Sequence, residues 1–282
     1  MIPIIDTHQH LWDLRRLRLP WVAEHPPLAR SYLPDDYQQA VEGTGVQRSV
    51  YVEVDVEPSQ ANAEAEDIVA LCRRASGLTV AAVIGGRPAA DDFADQVKRF
   101  APVPSVKGFR QVLHVAGSPP RTCLDPRFVR GVRLLGMHDL TFDLCMRPGE
   151  LPDAAELVGL CPETCFVLDH CGNVDVAARD RTSWQRDLER VARYPNVVCK
   201  VSGIIESAPR ATWSEDDLAP VVDHVLDLFG PERVLFGSNW PVCNLNGSLR
   251  RWAEALRAIV AHRPETMQRN LFHDNAVRVY RL

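Results

Sequence analysis

The residues best suited to chemistry stand at the ends of apolar runs. Ile4-Ile5-Asp6-Thr7-His8-Gln9-His10 opens like a β-strand and closes in His-x-His. Residues two apart on a strand face the same way, so Asp6, His8 and His10 are expected on one face with the imidazoles adjacent. Neighbouring neutral imidazoles suit a divalent metal, which takes ring nitrogens as ligands. The plainer alternative is a pair of core histidines held by hydrogen bonds.

Other runs end in the same manner. Val50–Asp55 places Glu53 and Asp55 on one face, and Val106–Arg110 carries Lys107 and Arg110. Asp143, Asp169-His170, Lys200 and Asn239-Trp240 punctuate four later runs. A charge embedded in an apolar strand is costly unless it is paired or ligated. Glu53 reads as a carboxylate ligand, as a hydrogen-bond acceptor for substrate, or as a salt-bridge partner of Arg110 or Lys107. His170 reads as a third ligand, a general base, a donor to a developing oxyanion, or a core histidine capping its strand. Lys200 and Arg110 suit carbonyl, carboxylate or hydroxyl oxygens. Lys107 either joins them or braces the far end of its strand. His114, Trp12 and Trp240 lie just past strand ends, where side chains shape a pocket, and His25 rides on the long first loop.

The elements that must position these residues alternate. β-type runs cover Ile2–His10, Val46–Val56, Leu78–Gly86, Val106–Leu113, Leu140–Met146, Cys165–Gly172, Asn196–Gly203 and Arg233–Pro241. Several are near-continuous apolar strings, as in strands buried on both faces of a parallel sheet. Helical patterns lie between them: Asp35–Glu42, Ser59–Arg74, Asp91–Phe100, Pro126–Leu135, Glu150–Leu160, Ser183–Tyr194, Glu215–Phe229 and Ser248–His262. Ser59 and Ser183 occupy positions where N-caps are favoured. Helix-to-strand connections such as Ser76-Gly77 and Gly230–Glu232 are short, whereas strand-to-helix segments such as Leu11–Pro34 and Asn173–Thr182 are long. Loop growth at one end only is the pattern of a (β/α)8 barrel enzyme, an α/β fold whose site lies at the C-terminal ends of the strands. An open doubly wound sheet is the runner-up, but its first strand is normally followed by a glycine-rich nucleotide loop. Here the first strand ends in His-Gln-His.

The chain has 282 residues, 46% of them hydrophobic, which suits a single barrel domain over residues 1–282. A net charge of −5 argues against a nucleic-acid partner. No apolar stretch reaches membrane-spanning length, and no leader pattern opens the chain, so a cytoplasmic location is expected. Eight cysteines sit mostly in apolar runs, where reduced buried thiols are the usual reading. Cys161, Cys165 and Cys171 lack the second paired motif of a zinc knuckle.

Several of these pieces resemble the amidohydrolase superfamily, within it the lactonase-like amidohydrolase-2 branch. They are Ile5–Asp13, Val106–Arg110, Leu168–Gly172, Asn196–Gly203, Leu235–Val242 and the closing Asn275–Leu282. The resemblance spans essentially the whole chain. It implies a distorted (β/α)8 TIM barrel and hydrolysis of a small sugar-acid lactone, with fuconolactonase- and rhamnono-lactonase-like enzymes as the nearest in kind. It also implies one divalent ion, zinc first, at His8 and His10, in a branch with both metal-using and metal-free members. One departure stands out. Superfamily members commonly carry aspartate on the eighth strand as base and metal contact, and this chain has Asn239. An amide cannot accept a proton at neutral pH and is a poor ligand. His170 is then the expected base, with Arg110 and Lys200 stabilising the oxyanion. A decarboxylase of the same superfamily and a non-catalytic sugar-acid binder are the competing readings.

Overall fold

The computed structural model of the chain describes residues 2–74, 77–115 and 117–282. Ser76 of the expected Ser76-Gly77 connection lies outside them. Eight strands form one sheet in sequence order: β1 (Ile4–Gln9), β2 (Val46–Val52), β3 (Thr79–Gly85), β4 (Val106–Val112), β5 (Thr141–Cys145), β6 (Phe166–Leu168), β7 (Val197–Val201) and β8 (Val234–Phe236). Every neighbouring pair is parallel. The ends meet where Gln9 bridges Trp240 and Asn239 N–H donates to the His8 carbonyl at 2.8 Å. The sheet is therefore a nearly closed barrel, and the open doubly wound alternative is excluded. Each observed strand lies inside an expected run, shortened at the ends where the chain turns out toward its loop.

Helices cover the outside: α1 (Pro34–Val41), α2 (Ala61–Cys72), α3 (Phe93–Phe100), α4 (Pro126–Gly136), α5 (Leu151–Leu160), α6 (Thr182–Ala192), α7 (Glu215–Phe229) and α8 (Leu249–Ile259). Their starts follow cap chemistry only in part. Ser214 and Asp217 form a capping box at α7, and the Ser248 side chain accepts from Arg251 N–H at α8. Ser59 instead sits in a 3-10 turn before α2, and Ser183 is already inside α6. Short helices α9 (Glu265–Arg269) and α10 (Asn275–Tyr280) end the chain. Among the described residues no helix is long and apolar enough to cross a membrane.

The alternation of a strand divides the core in two. Along β2, Val50 and Val52 point into the barrel, while Tyr51 points out and its hydroxyl donates to Glu64 of α2 at 2.7 Å. Inside, Ile5, Val83, Val167, Val198 and Leu235 pack with Val50 and Val52 into an apolar layer. Tyr280, Ala276 and Val279 of α10 close that layer from below, at the end where the strands begin. The barrel floor is thus sealed and apolar, and the polar residues of the interior lie above it, toward the strands' C-terminal ends.

Candidate active site

Directly above the apolar floor lies a buried charge network. The Lys200 ammonium on β7 is wholly enclosed, 2.5 Å from Asp143 Oδ2 on β5 and 3.1 Å from Asp169 Oδ1 after β6. Burial works against its charge, but the two carboxylates outweigh it and raise its pKa. Asp169 is the hub: Arg110 Nη1 lies 3.1 Å from Oδ2, and His8 Nδ1 lies 3.3 Å from Oδ1. Burial pushes its pKa up, yet Lys200, His8 and Arg110 together hold it well below the usual range. Arg110 also donates from Nε to Glu53 Oε1 and from Nη2 to the Glu53 carbonyl, both at 2.6 Å.

On this network stand three imidazoles. His8 Nε2 and His10 Nε2 face each other at 3.1 Å, and the His8 and His170 rings lie 4.4 Å apart, centre to centre. Burial lowers all three pKa values, with Arg110 or Lys200 adding to the effect. His10 and His170 fall to about 3 and His8 moves well below its ordinary value, so the rings are neutral. His10 Nδ1 meets the Val52 carbonyl at 2.8 Å, which fixes its proton there and leaves Nε2 as a lone pair. His8 Nδ1 faces Asp169 Oδ1 at 3.3 Å without forming a well-aligned hydrogen bond, so the carboxylate charge favours the proton on Nδ1 through space. An imidazole steadied through its outer nitrogen is the usual arrangement of a metal ligand.

The pair fits a divalent ion. Zn–N bonds of about 2.0–2.1 Å in tetrahedral geometry place two ligand nitrogens roughly 3.3 Å apart, close to the 3.1 Å seen here. The charges beneath agree: the carboxylates of Glu53, Asp143 and Asp169 outnumber the cations Lys200 and Arg110. His8, Asp169 and His170 also approach closely enough to share an ion, the one such group among the described residues. Asp169 is already committed to two cations, so the facing Nε2 atoms of His8 and His10 are the better donors. Arg110 Nη1 stands 3.4 Å from His8 Nε2 and is a competing charge at that nitrogen.

The expected strand face is corrected at one residue. Asp6 does not join the imidazoles. Its carboxylate accepts from Ser238 Oγ at 2.5 Å and from the Tyr37 hydroxyl of α1 at 2.8 Å. The reason is a register irregularity between Asp6 and Gln9, which breaks the strict two-residue alternation.

Several expected site residues lie elsewhere. Lys107 is at the floor end of β4, its ammonium 3.3 Å from the Arg281 carbonyl, because only the last residues of a barrel strand reach the mouth. Lys200 lies under the site with its ammonium shared between carboxylates, so it cannot touch substrate. Trp240 is buried in an aromatic cluster behind β8, with Tyr37 and Tyr32 rings 5.2 and 5.4 Å away. Trp12 belongs to the same cluster. His114 is exposed beyond β4, with Nδ1 3.2 Å from Cys145 Sγ. His25 is exposed, edge-on to Trp21. All eight cysteines are free, and Cys161 and Cys171 point their thiols at separate carbonyls.

A polar cavity of about 530 Å³ opens beside Arg110 and Glu53, over the ends of β2, β3 and β4. Asn62, Arg87 and Gln111 line it together with Asp55. Asp55 has left-handed backbone, φ 49°, and burial with the nearby Glu53 charge raises its pKa to about 6.

Across the mouth, His170 and Asn239 also have left-handed backbone, φ 54° and 55°. Non-glycine residues held this way cluster at functional sites. Gly203, φ 63°, lies so close to the His170 ring that a Cβ there would collide with Cγ and Nδ1. Ser202 Oγ holds His170 Nδ1 at 2.9 Å. Asn239 Nδ2 donates to Glu206 Oε1 at 2.8 Å. Sequence reasoning gave no role to Asp169 or Glu206. A charged residue at the end of an apolar strand was the available signal for Asp169. Glu206 follows Ile204-Ile205 in a loop, and nothing in the sequence ties it to Asn239.

A parallel barrel with a charge-backed imidazole pair at the C-terminal ends of its strands is an enzyme architecture. The chain belongs to the amidohydrolase family of the amidohydrolase-2 type, whose model matches residues 5–282. It is 33% identical to an L-fucono-1,5-lactonase of Burkholderia multivorans, over 89% of this chain and 88% of that one. It is 25% identical to an L-rhamnono-gamma-lactonase of Scheffersomyces stipitis, over 99% and 98% of the two chains. A zinc-bound amidohydrolase structure from Burkholderia multivorans superposes with a TM-score of 0.90 at 29% identity, covering 99% of each chain.

Proposed function

We propose that this protein hydrolyses a small sugar-acid lactone to the free acid, using one divalent ion, zinc, held by His8 and His10. The observation that supports it most is the pair of neutral imidazoles with facing Nε2 atoms, His10 held through Nδ1 by the Val52 carbonyl and His8 facing Asp169, next to Arg110, which lines a polar cavity. The lactonases among the relatives point to the same chemistry. Bound at the pair, a divalent ion would polarise the ester carbonyl and lower the pKa of a water molecule.

The chain's own residues do the rest. Arg110 keeps a fixed positive charge next to His8 and faces the oxygen on which charge develops. Its bonds to Glu53 and Asp169 hold it in place, so little reorganisation accompanies the reaction. His170, with Nδ1 engaged by the Ser202 hydroxyl, offers Nε2–H to the carbonyl oxygen. Asp55, Asn62, Gln111 and Arg87 supply donors and acceptors for the hydroxyls of a sugar ring. A carboxylate such as Asp55 suits hydroxyl donors, which argues for a neutral, polyhydroxylated ring.

A panel of aldonolactones assayed with a pH indicator tests this directly, because ring opening releases a proton. Metal analysis of the same preparation should find about one divalent ion per chain. His8→Ala and His10→Ala should each lose most of the ion and reduce turnover at least ~100-fold. Carbon dioxide as product would instead show a decarboxylase, and binding without turnover a sugar-acid binder.

A further inference from the structure

The eighth-strand position where the superfamily pattern has aspartate is Asn239, yet a carboxylate stands beside its side chain. Glu206 reaches it from the loop after β7. Its Oε1 accepts from the Asn239 amide at 2.8 Å, and its Oε2 is shielded from solvent and meets no donor among the described residues. An unpaired buried carboxylate oxygen is expensive and calls for an explanation. Its surroundings place it at the mouth. Ser202 and Gly203, at the start of the same loop, hold and pack the His170 ring. Asn239 N–H donates to the His8 carbonyl at 2.8 Å. Glu206 therefore closes the gap between the ends of β7 and β8, on the side of the mouth opposite the polar cavity.

We propose that Glu206, oriented by the Asn239 amide, is the proton acceptor for the attacking water, in place of a carboxylate on β8. This rests on the lactone-hydrolase reading. A water O–H bond breaks and its proton goes to Glu206 Oε2 as the water oxygen bonds to the carbonyl carbon. The ring C–O bond then breaks, and the protonated Glu206 returns the proton to the departing alkoxide. Asn239 donates to the other oxygen throughout, which aims Oε2 and favours the charged form at rest. Burial raises the Glu206 pKa to about 7, a value suited to a base near neutrality. The Glu206 charge in turn joins burial in raising the pKa of the Cys243 thiol, which stays neutral.

The test compares the wild type with Glu206→Gln, Asn239→Asp and the double variant, each shown folded by circular dichroism. Glu206→Gln should lower kcat by about 10²–10⁴ with KM little changed, and should abolish the rise of kcat with pH near 7. The double variant returns one carboxylate to the pair from the other side and should regain at least ~10-fold over Glu206→Gln, with its own acidic limb. A second readout is independent of turnover. A carboxyl whose folded pKa is raised from 4.5 to about 7 makes the fold lose stability as pH rises through that window. Glu206→Gln should remove this loss, so its Tm should exceed that of the wild type at pH 8 and match it near pH 4.5. Wild-type turnover with Glu206→Gln within threefold of it, or no change in the pH dependence of Tm, would overturn the proposal. A wild type inactive on every lactone would instead overturn the function from which it starts.

Discussion

At the scale of single residues, Asp169 decides the electrostatics. It touches Lys200, Arg110 and His8 at once, so its charge sets the orientation of Arg110 and the tautomer of His8. Asp169→Asn should loosen metal binding about 10–100-fold, as loss of an outer-shell partner generally does. Competition with a chelator measures it. The same change leaves buried cations short of a counter-charge, at a cost of about 3–5 kcal/mol, toward the lower end because Lys200 keeps Asp143. The pH dependence has a definite sign. The folded pKa of Asp169 is depressed below the ordinary 3.8, so its stabilisation is present above that value and is lost in stronger acid. The asparagine variant should therefore lack the acid-linked part of the unfolding curve below about pH 4.

At the scale of elements, the ends of β6, β7 and β8 do more than terminate strands. The backbone turns left-handed at His170, Cys171, Gly172 and Asn173, again at Gly203, and again at Asn239. These turns bring side chains back over the barrel axis instead of releasing them into the loops. Gly203 is where this is tightest, since its positive φ and the His170 ring both exclude a side chain. Gly203→Ala should cost at least ~1–2 kcal/mol from the backbone alone. Because the methyl group displaces His170, kcat should fall by more than the stability loss explains. Urea titration and steady-state kinetics on one preparation separate the two effects.

At the scale of the whole molecule, the C-terminal helix seals what the site rests on. Tyr280, Ala276 and Val279 pack under Ile5, Val50 and Leu235, and the Lys200 network sits on top of that layer. Without the plug, water would reach the buried charges from below and weaken every interaction among them. Tyr280→Ala should destabilise the fold by about 3–5 kcal/mol, in the range for a large buried aromatic. It should also weaken metal binding, although Tyr280 belongs to a different layer from the imidazoles. Tyr280→Phe should retain both. Urea midpoints and metal content report the two properties.

The sequence by itself determined the barrel, because its signal is local and repeated. Each apolar run could be read from its own residues, and eight such runs alternating with helices admit few topologies. The His8–His10 pair was legible for the same reason, since two positions on one strand need only the strand's periodicity. What failed was the same inference applied without position along the strand. Lys107 and Arg110 belong to one run, but three residues separate the floor of the barrel from its mouth. Asp6 failed because a register shift is invisible in an alternating pattern. The partners of the site were decided only by tertiary structure. Asp169 with Lys200, and Asn239 with Glu206, are each more than thirty residues apart in the chain. No periodicity links such residues. They meet because barrel closure sets neighbouring strand ends side by side, and burial then decides which charges must pair.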